Sequence, residues 1–252
     1  MSTTSSAVIS GGASGLGEAT ARRLSADGWH VTILDRDGDR ARSLAGELNG
    51  AAIELDVTDA DAVDAAVAAV VADGHTVRLA VSCAGIGPPE RLLSKRGPHK
   101  TESFAAILHV NLFGTFNVLR AAAVAMAENE PDEHGQRGVI VNTASIAAYD
   151  GQIGQIAYAA SKGGIVGMTL PAARDLADKF IRVVTIAPGL FKTPLLASLP
   201  QAAQDALGAS VPNPARLGDP AEYAALVAHI ESNVMLNGEV IRLDGALRMA
   251  PR

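Results

Sequence analysis

Cysteine is nearly absent from this sequence, because Cys83 is the single one among 252 residues. One thiol excludes a disulfide within the chain and fits a reducing compartment. Aromatic residues are also scarce, at 4%, so the core must be built from aliphatic side chains and alanine. The chain has no excess of basic residues: its formal net charge is −6 and its pI is about 5.5. This balance argues against nucleic acid as a primary ligand, since phosphate binding needs a basic face.

Long hydrophobic runs and targeting signals are missing as well. The sequence has no stretch of 18 or more apolar residues, so we expect no membrane span. The first residues, MSTTSSAVISGGASG, contain neither a basic segment nor an apolar segment of signal-peptide length, which predicts a cytoplasmic protein. The histidines lack the spacing of metal ligands, so no metal site is predicted; they are His30, His75, His99, His109, His134 and His229.

Short β-branched runs alternate with longer helical patterns along the whole chain. Strands are predicted at Ala7–Ser10, His30–Leu34, Ala51–Leu55, Val77–Cys83, Gly138–Thr143, Ile181–Ile186 and Glu239–Leu243. Helices are predicted at Gly15–Gly28, Asp37–Leu48, Asp59–Ala72, Thr101–Ala127, Gln155–Asp178, Leu195–Leu207 and Pro220–Ser232. Strict alternation of this kind predicts an α/β fold: one Rossmann-type, doubly wound, seven-stranded parallel sheet with helices on both faces. No linker or repeat divides the chain, so residues 1–252 are predicted to form one domain.

A glycine-rich turn follows the first predicted strand, in the segment SGGASGLGEATARRL. Gly11, Gly15 and Gly17 allow a tight turn and a close approach of the backbone to a pyrophosphate at a helix N-terminus. Ser14 and the Leu16 amide lie at the mouth of that helix. The strand–turn–helix context predicts a dinucleotide cofactor.

Asp35 ends the second predicted strand, about twenty residues after the glycines, where a carboxylate accepts hydrogen bonds from ribose hydroxyls. It would repel a 2′-phosphate, which favours NAD, although Arg36 leaves NADP open. The alternative is that Asp35 caps the next helix. Asp56 and Val57 are predicted to border the adenine.

The segment AYAASKGGIVGM places Tyr158 and Lys162 one helical turn apart, so both can face the same space. Alone, this spacing fits an active-site pair or an ordinary amphipathic helix.

Together these motifs resemble the short-chain dehydrogenase/reductase superfamily over essentially the whole chain. The resemblance is carried by the glycine turn, Cys83-Ala84-Gly85, Asn111 in HVNLFGT, Ser145 in NTAS, Tyr158 with Lys162, and Pro188-Gly189 with Thr193. Segments such as TIAPGLFKTPLLASLP and RLGDPAEYAALV look like the type 2 3-hydroxyacyl-CoA dehydrogenases, a group also known as type 10 17β-hydroxysteroid dehydrogenase.

The resemblance implies a role for each matching residue. Tyr158 would be the general acid/base and Ser145 would bind the same substrate oxygen. Lys162, with the cationic nicotinamide ring, would lower the pKa of Tyr158, and it would also bind the nicotinamide ribose. Asn111 would hold a water of a proton relay. Residues implied to contact the cofactor further on are Cys83, Ala84, Gly85, Tyr158, Lys162, Pro188, Gly189, Phe191 and Thr193.

The implied activity is reversible NAD-dependent oxidation of L-3-hydroxyacyl-CoA in fatty-acid breakdown by a homotetramer. Alternatives are a hydroxysteroid or other secondary-alcohol dehydrogenase, a 3-oxoacyl-carrier-protein reductase, and a non-catalytic NAD-binding scaffold. The insertion Gly87–Glu102 carries Arg91, Lys95, Arg96 and Lys100, a basic cluster that would suit the phosphates of CoA. The alternative for this insertion is a solvated loop whose charges only aid solubility. The apolar Phe191–Ser210 segment is predicted to form a lid.

Overall fold

A computed structural model describes residues 4–197 and 200–251 of the chain. Its strands are β1 (Thr4–Ser10), β2 (His30–Asp35), β3 (Ala51–Glu54), β4 (His75–Ser82), β5 (Leu93–Ser94), β6 (Gly97–Pro98), β7 (Gly138–Thr143), β8 (Ile181–Pro188) and β9 (Val240–Leu243). Seven of these form one parallel sheet in the order β3-β2-β1-β4-β7-β8-β9, and β5 pairs with β6 as an antiparallel hairpin. The predicted parallel α/β sheet is confirmed.

Helices connect the strands of the sheet. They are α1 (Gly15–Ala26), α2 (Gly38–Leu48), α3 (Ala60–Ala72), α4 (Thr101–Leu108), α5 (Gly114–Ala127), α6 (Ile156–Asp175), α7 (Pro194–Ala197), α8 (Gln201–Ala209) and α9 (Pro220–Ser232). A π-helical turn, His109–Phe113, joins α4 to α5, and short 3₁₀ turns cover Ile146–Ala148 and Ala177–Lys179. The helix predicted at Leu195–Leu207 is divided between α7 and α8, and its residues 198–199 lie outside the described part of the chain.

Apolar side chains pack on both faces of the sheet, as a doubly wound fold requires. Helices α1, α2 and α9 contribute to the cluster on one face, and α3 and α5 to the cluster on the other. Every residue of β7 and of β8 is buried. Two strands without an exposed face belong at the centre of a sheet that helices cover on both sides.

The predicted helix Thr101–Ala127 differs from expectation at its centre, where the π-helical turn inserts one extra residue per turn. By length and composition this 27-residue run could also cross a membrane, with a mean hydropathy of 1.3. Half of that window is buried, and α5 packs against β4 and α3. Length and hydropathy are therefore weak evidence for a span, since core helices share them.

Arg182, near the start of β8, ties the end of α9 to the sheet. It is only 5% exposed, and its guanidinium donates hydrogen bonds of 2.7–3.2 Å to four carbonyls, those of Ile230, Glu231, Asn233 and Leu236. The last carbonyls of a helix have no partner within the helix, so a buried helix end needs donors of this kind.

We expect Arg182→Met to lower the free energy of unfolding by about 2–4 kcal/mol, because it leaves several buried carbonyls without a donor. Urea unfolding followed by circular dichroism would measure the change. Arg23→Met is the control, since Arg23 forms an exposed ion pair with Asp27 on α1 and its loss should cost less than about 0.5 kcal/mol. Equal losses in the two variants would contradict the assignment.

Candidate active site

A cavity of about 700 Å³ opens at the carboxyl ends of the parallel strands. It extends from the turn after β1 to the loop after β8, and residues that follow β2, β4 and β7 also line it. Parallel α/β sheets bind ligands at this edge because every strand there ends in a loop free to carry functional side chains. The candidate site therefore lies where the fold alone would place one.

The glycine turn forms one end of the cavity, and neighbouring backbone atoms lie very close to its glycines. Gly11 has φ +63°, and a Cβ there would lie 2.5 Å from the Ala84 nitrogen; a Cβ on Gly17 would lie 2.2 Å from the Gly11 oxygen. Ser14 precedes α1, and its side chain makes no capping hydrogen bond within the described part of the chain. The first N–H groups of α1 thus point to a cavity that the backbone itself closely surrounds, which fits a pyrophosphate.

Asp35 is held in place at the end of β2 by two backbone groups. Its Oδ2 accepts a hydrogen bond from the Ala13 nitrogen and its Oδ1 accepts one from the Asp37 nitrogen, each at 3.0 Å. The cap of α2 is Asp37, whose side chain accepts from the Arg40 nitrogen. The alternative role of Asp35 as that cap is therefore wrong, and its carboxylate faces the cavity, as does the exposed Arg36.

The predicted adenine side and the segment after β4 lie in the same cavity. Asp56 and Val57 line it, and Asp56 accepts hydrogen bonds from the backbone and hydroxyl of Thr58, of which the backbone bond lowers the Asp56 pKa most. The run Cys83–Gly85 lines its floor.

Tyr158, Lys162 and Ser145 converge at the other end of the cavity. Lys162 is 4% exposed; its Nζ lies 5.7 Å from the centre of the Tyr158 ring and donates a 2.8 Å hydrogen bond to the Thr143 carbonyl. Ser145 follows β7, accepts a hydrogen bond from the Ala147 nitrogen and hydrogen-bonds Tyr158. The i,i+4 pair is thus on the helix face that meets the strand ends.

Burial shifts the titration of both members of this pair towards the neutral form. It raises the pKa of Tyr158, against the effect of the hydrogen bond to Ser145. It lowers the pKa of Lys162 to about 8, against the attraction of Cys83. In the chain alone, removal from water is the larger effect on the phenol. The predicted lowering of the Tyr158 pKa concerns Lys162 together with a bound nicotinamide ring and stays a prediction.

Asn111 is outside the set of described residues that line the cavity. It lies in the π-helical turn and is fully buried. Its Nδ2 donates to the Ile86 oxygen and to Ser161 Oγ, and its Oδ1 accepts from the Ile86 nitrogen. One lone pair of Oδ1 is left, and a Cβ on Gly85 would lie 3.2 Å from that oxygen and 3.7 Å from Lys162 Nζ. Gly85 therefore leaves open the space between Asn111 and Lys162.

The loop after β8 completes the cavity. The predicted residues Pro188, Gly189, Phe191 and Thr193 all line it. Phe191 is 6% exposed and packs over Gly218. Of the predicted lid, Leu190 and Leu196 line the cavity, while Leu199 and the side chain of Leu195 lie outside what the structure describes.

Sequence reasoning missed several lining residues. Gln152 and Gln155 precede the Tyr158 helix, and Met249 belongs to the C-terminal tail. The tail is held by hydrogen bonds from Gln152 Nε2 to the Ala250 oxygen and from the Ile153 nitrogen to the Pro251 oxygen. The segment GQIGQ, just before the Tyr158 helix, is the one local sequence signal for Gln152 and Gln155. No sequence pattern indicates that Met249 lines the cavity. Among the described residues no cluster of three His, Cys, Asp or Glu side chains could hold a metal ion.

Comparison with known proteins agrees with this geometry. Residues 5–204 match the family model described as short chain dehydrogenase. The chain is 55% identical over 249 residues to human 3-hydroxyacyl-CoA dehydrogenase type-2, covering 97% of this chain and 95% of that protein. It is 50% identical to the protein of that name from Drosophila melanogaster, covering 97% of each. A crystal structure of 3-hydroxyacyl-CoA dehydrogenase type-2 from Mycobacterium avium superimposes with a TM-score of 0.94 at 46% identity, covering 98% of this chain and 97% of that one. The chain therefore belongs to the short-chain dehydrogenase/reductase family of oxidoreductases, which use a nicotinamide cofactor.

Proposed function

We propose that this protein catalyses the reversible, NAD-dependent oxidation of L-3-hydroxyacyl-CoA to 3-ketoacyl-CoA. The observation that carries the proposal is the convergence of Ser145, Tyr158 and Lys162 at one end of a cavity whose other end is the glycine turn. An NAD-binding scaffold would not need a buried acid/base pair beside its ligand. The type-2 names of the relatives at 50–55% identity support the thioester substrate.

The nicotinamide cofactor, which the glycine turn and Asp35 would hold, would accept a hydride from the carbon that carries the substrate hydroxyl. Tyr158 removes the hydroxyl proton, and Ser145 Oγ holds the same oxygen in place. The Lys162 ammonium stabilises the phenolate form of Tyr158, which accepts this proton and becomes a phenol. The Thr143 carbonyl keeps that ammonium in place. The proton leaves along the open space above Gly85, toward the free lone pair of Asn111 Oδ1.

Asp35 supports NAD as the form of the cofactor. Two backbone N–H groups fix its carboxylate at the cavity edge, so it cannot turn away from a 2′-phosphate without losing both hydrogen bonds. This also argues against a 3-oxoacyl-carrier-protein reductase, since the resemblance links that reaction to NADPH. Arg36, the next residue, is exposed and lines the same cavity, but no hydrogen bond among the described residues fixes its side chain there.

The insertion Gly87–Glu102 supports a thioester over an uncharged steroid alcohol. A second cavity of about 430 Å³ shares Gln152 and Gln155 with the first and is lined by Arg91, Leu92 and Leu93 of the insertion. The remaining basic residues, Lys95, Arg96 and Lys100, are exposed and are not among the described lining residues. A wall that combines Leu92 and Leu93 with the cation Arg91 suits an acyl chain that continues into a polyanionic handle.

We propose that the protein is a homotetramer that acts in fatty-acid breakdown in the cytoplasm. Large apolar side chains are exposed on the α4–α5 run and on α6, namely Phe113, Phe116, Val124 and Leu170. Exposed side chains of this size on two long helices support burial between subunits, and closed symmetry would cover them on every copy.

Cofactor choice is the first prediction. NADH should bind at least about tenfold more tightly than NADPH, because the fixed Asp35 carboxylate repels a 2′-phosphate. Isothermal titration calorimetry with each reduced cofactor measures the ratio. Asp35→Asn, which keeps the shape and removes the charge, should narrow it. Tighter binding of NADPH to the unchanged protein would reject NAD as the cofactor.

The second prediction tests the reaction. Protein with NAD should oxidise L-3-hydroxybutyryl-CoA, and Tyr158→Phe should reduce kcat by about 10²–10⁴, since the proton acceptor is gone while the ring still packs. The rate is measured by NADH absorbance. The dissociation constant of NADH should stay within about twofold, because the Tyr158 ring still packs and Lys162 still binds the ribose.

Tyr149→Phe is the matched control: it removes a phenol hydroxyl from a half-exposed tyrosine outside the described cavity lining and should leave the rate unchanged. Faster turnover of steroid alcohols than of the thioester would show that the substrate is a steroid alcohol. Full activity of Tyr158→Phe would contradict the role of Tyr158 as the acid/base.

The pH dependence gives a third prediction. Reduction of 3-ketoacyl-CoA needs Lys162 as an ammonium, and burial lowers its pKa to about 8. The group is charged below that pH and neutral above it, so kcat/KM for reduction should be level on the acid side and fall as pH rises through 8. A pH–rate profile with acetoacetyl-CoA and NADH measures this alkaline fall, which is the alkaline limb of the profile (the pH limb below). Lys162→Arg stays charged, so its kcat/KM should not fall at alkaline pH, even if the variant is slower overall. A profile without this fall in the unchanged protein would contradict the assignment.

A further inference from the structure

A cluster of three side chains joins the cavity wall to helix α9, and its thiol and hydroxyl groups have no part in the mechanism above. Tyr223 of α9 is fully buried, and its hydroxyl lies 2.7 Å from Thr143 Oγ1. Cys83 Sγ lies 3.7 Å from the Tyr223 hydroxyl and 3.7 Å from Thr143 Oγ1. The cluster thus joins α9 to the carboxyl ends of β4 and β7, two neighbouring strands of the sheet.

The hydrogen bonds of this cluster close into a ring. Thr143 donates to Cys83 Sγ, and the Cys83 thiol donates to the Tyr223 oxygen. The Tyr223 hydroxyl is then the donor to Thr143 Oγ1, where either atom could donate by geometry. Each of the three groups gives one hydrogen and accepts one, so no buried donor is left unpaired. Removal of one member takes a hydrogen-bond partner from each of the other two; Tyr223 and Thr143 are buried, and Cys83 is half-buried.

Thr143 connects this ring to the active site. Its side chain belongs to the ring, while its carbonyl accepts the 2.8 Å hydrogen bond from Lys162 Nζ. Tyr223 itself is outside the described cavity lining, and burial raises its pKa well above the ordinary value, so it remains a neutral phenol and exchanges no proton. Its hydroxyl can act on the reaction only through the residue that holds Lys162.

We propose that Tyr223 is a positioning residue: its hydroxyl fixes Thr143, and Thr143 in turn fixes the Lys162 ammonium beside Tyr158. This inference rests on the proposed roles of Tyr158 and Lys162. A side chain from the helix behind the sheet thereby controls the geometry of the acid/base pair without touching substrate or cofactor.

Tyr223→Phe tests the proposal, because it keeps the buried ring and removes only the hydroxyl. We expect kcat for L-3-hydroxybutyryl-CoA to fall about five- to tenfold, with KM within about twofold. The alkaline fall in the reductive pH profile should move to lower pH by about half a unit, since a less well-held carbonyl stabilises the ammonium less.

Thr143→Val is the second variant, and it tests the same proposal if Tyr223→Phe folds poorly. It removes the ring hydroxyl and retains the backbone carbonyl, so it should shift kcat and the pH limb in the same direction. The double variant should be no worse than the more affected single variant, because both substitutions open the same ring.

Thr169→Val is the matched structural control. Thr169 of α6 makes a buried 2.7 Å hydroxyl contact with Thr185 of β8, and neither residue is in the described cavity lining. It should lower Tm by an amount similar to Tyr223→Phe and leave kcat and the pH limb unchanged.

The outcomes separate the two ways of failing. If Tyr223→Phe and Thr143→Val lower Tm but leave kcat and the pH limb as in the unchanged protein, the ring only attaches α9 and the inference is overturned. If Tyr158→Phe, measured alongside, keeps full activity, the proposed function itself fails. Loss of activity in Tyr158→Phe together with the predicted shift in Tyr223→Phe supports both.

Discussion

The hydrogen bond from the Lys162 ammonium to the Thr143 carbonyl is the interaction on which the site depends. A lysine that is 4% exposed has lost most of its water, and a buried ammonium needs a fixed acceptor to stay charged. The carbonyl is available because Thr143 ends β7, where the ladder of the sheet stops. Helix α6 must therefore pack across the end of a central strand, at a height that brings Lys162 to that carbonyl.

That requirement explains why the two ends of the cavity come together. The glycine turn follows β1 and Ser145 follows β7, and these strands flank β4 on its two sides. Parallel strands all end at one edge, so a nucleotide that starts at the glycine turn and crosses β4 reaches the Tyr158 pair. The small residues Cys83–Gly85 at the end of β4 leave room for it to pass, as the close approach of Gly11 to Ala84 indicates.

Much of this arrangement could be predicted from local sequence signals. The strands were recognisable because burial on both faces leaves continuous apolar runs, as in IRVVTIAP of β8. The glycine turn was recognisable because this strand–turn–helix motif needs residues without a Cβ, and a Cβ on Gly11 would lie 2.5 Å from the Ala84 nitrogen. The pair of Tyr158 and Lys162 was ambiguous alone, and it gained meaning once parallel topology placed Ser145 beside it. The resemblance to a family supplied roles that spacing could not.

Features that depend on distant contacts could not be predicted. Thr143 and Tyr223 are 80 residues apart in sequence, and Gln152 and Ala250 are 98 apart. No local pattern reports which of many buried hydroxyls will meet. The β5–β6 hairpin was also missed, because two residues in each strand are too few for an alternating pattern. The depth at which Tyr158 is buried could not be predicted either, since the sequence shows the neighbouring charge but not the removal from water that raises the pKa of the phenol in the chain alone.

The π-helical turn constrains the length of this segment as well as the residue types in it. Within the turn Asn111 is bound to Ile86, and beyond its C-terminal end Asn117 donates to the Val57 oxygen. Both contacts exist at once because the wider turn takes up one extra residue between them. Deleting one residue would restore a regular helix but rotate everything beyond it by about 100°, turning Asn117 away from Val57. Natural or engineered variation in this segment is therefore expected as exchanges of side chains, with insertions and deletions confined to the loops on either side.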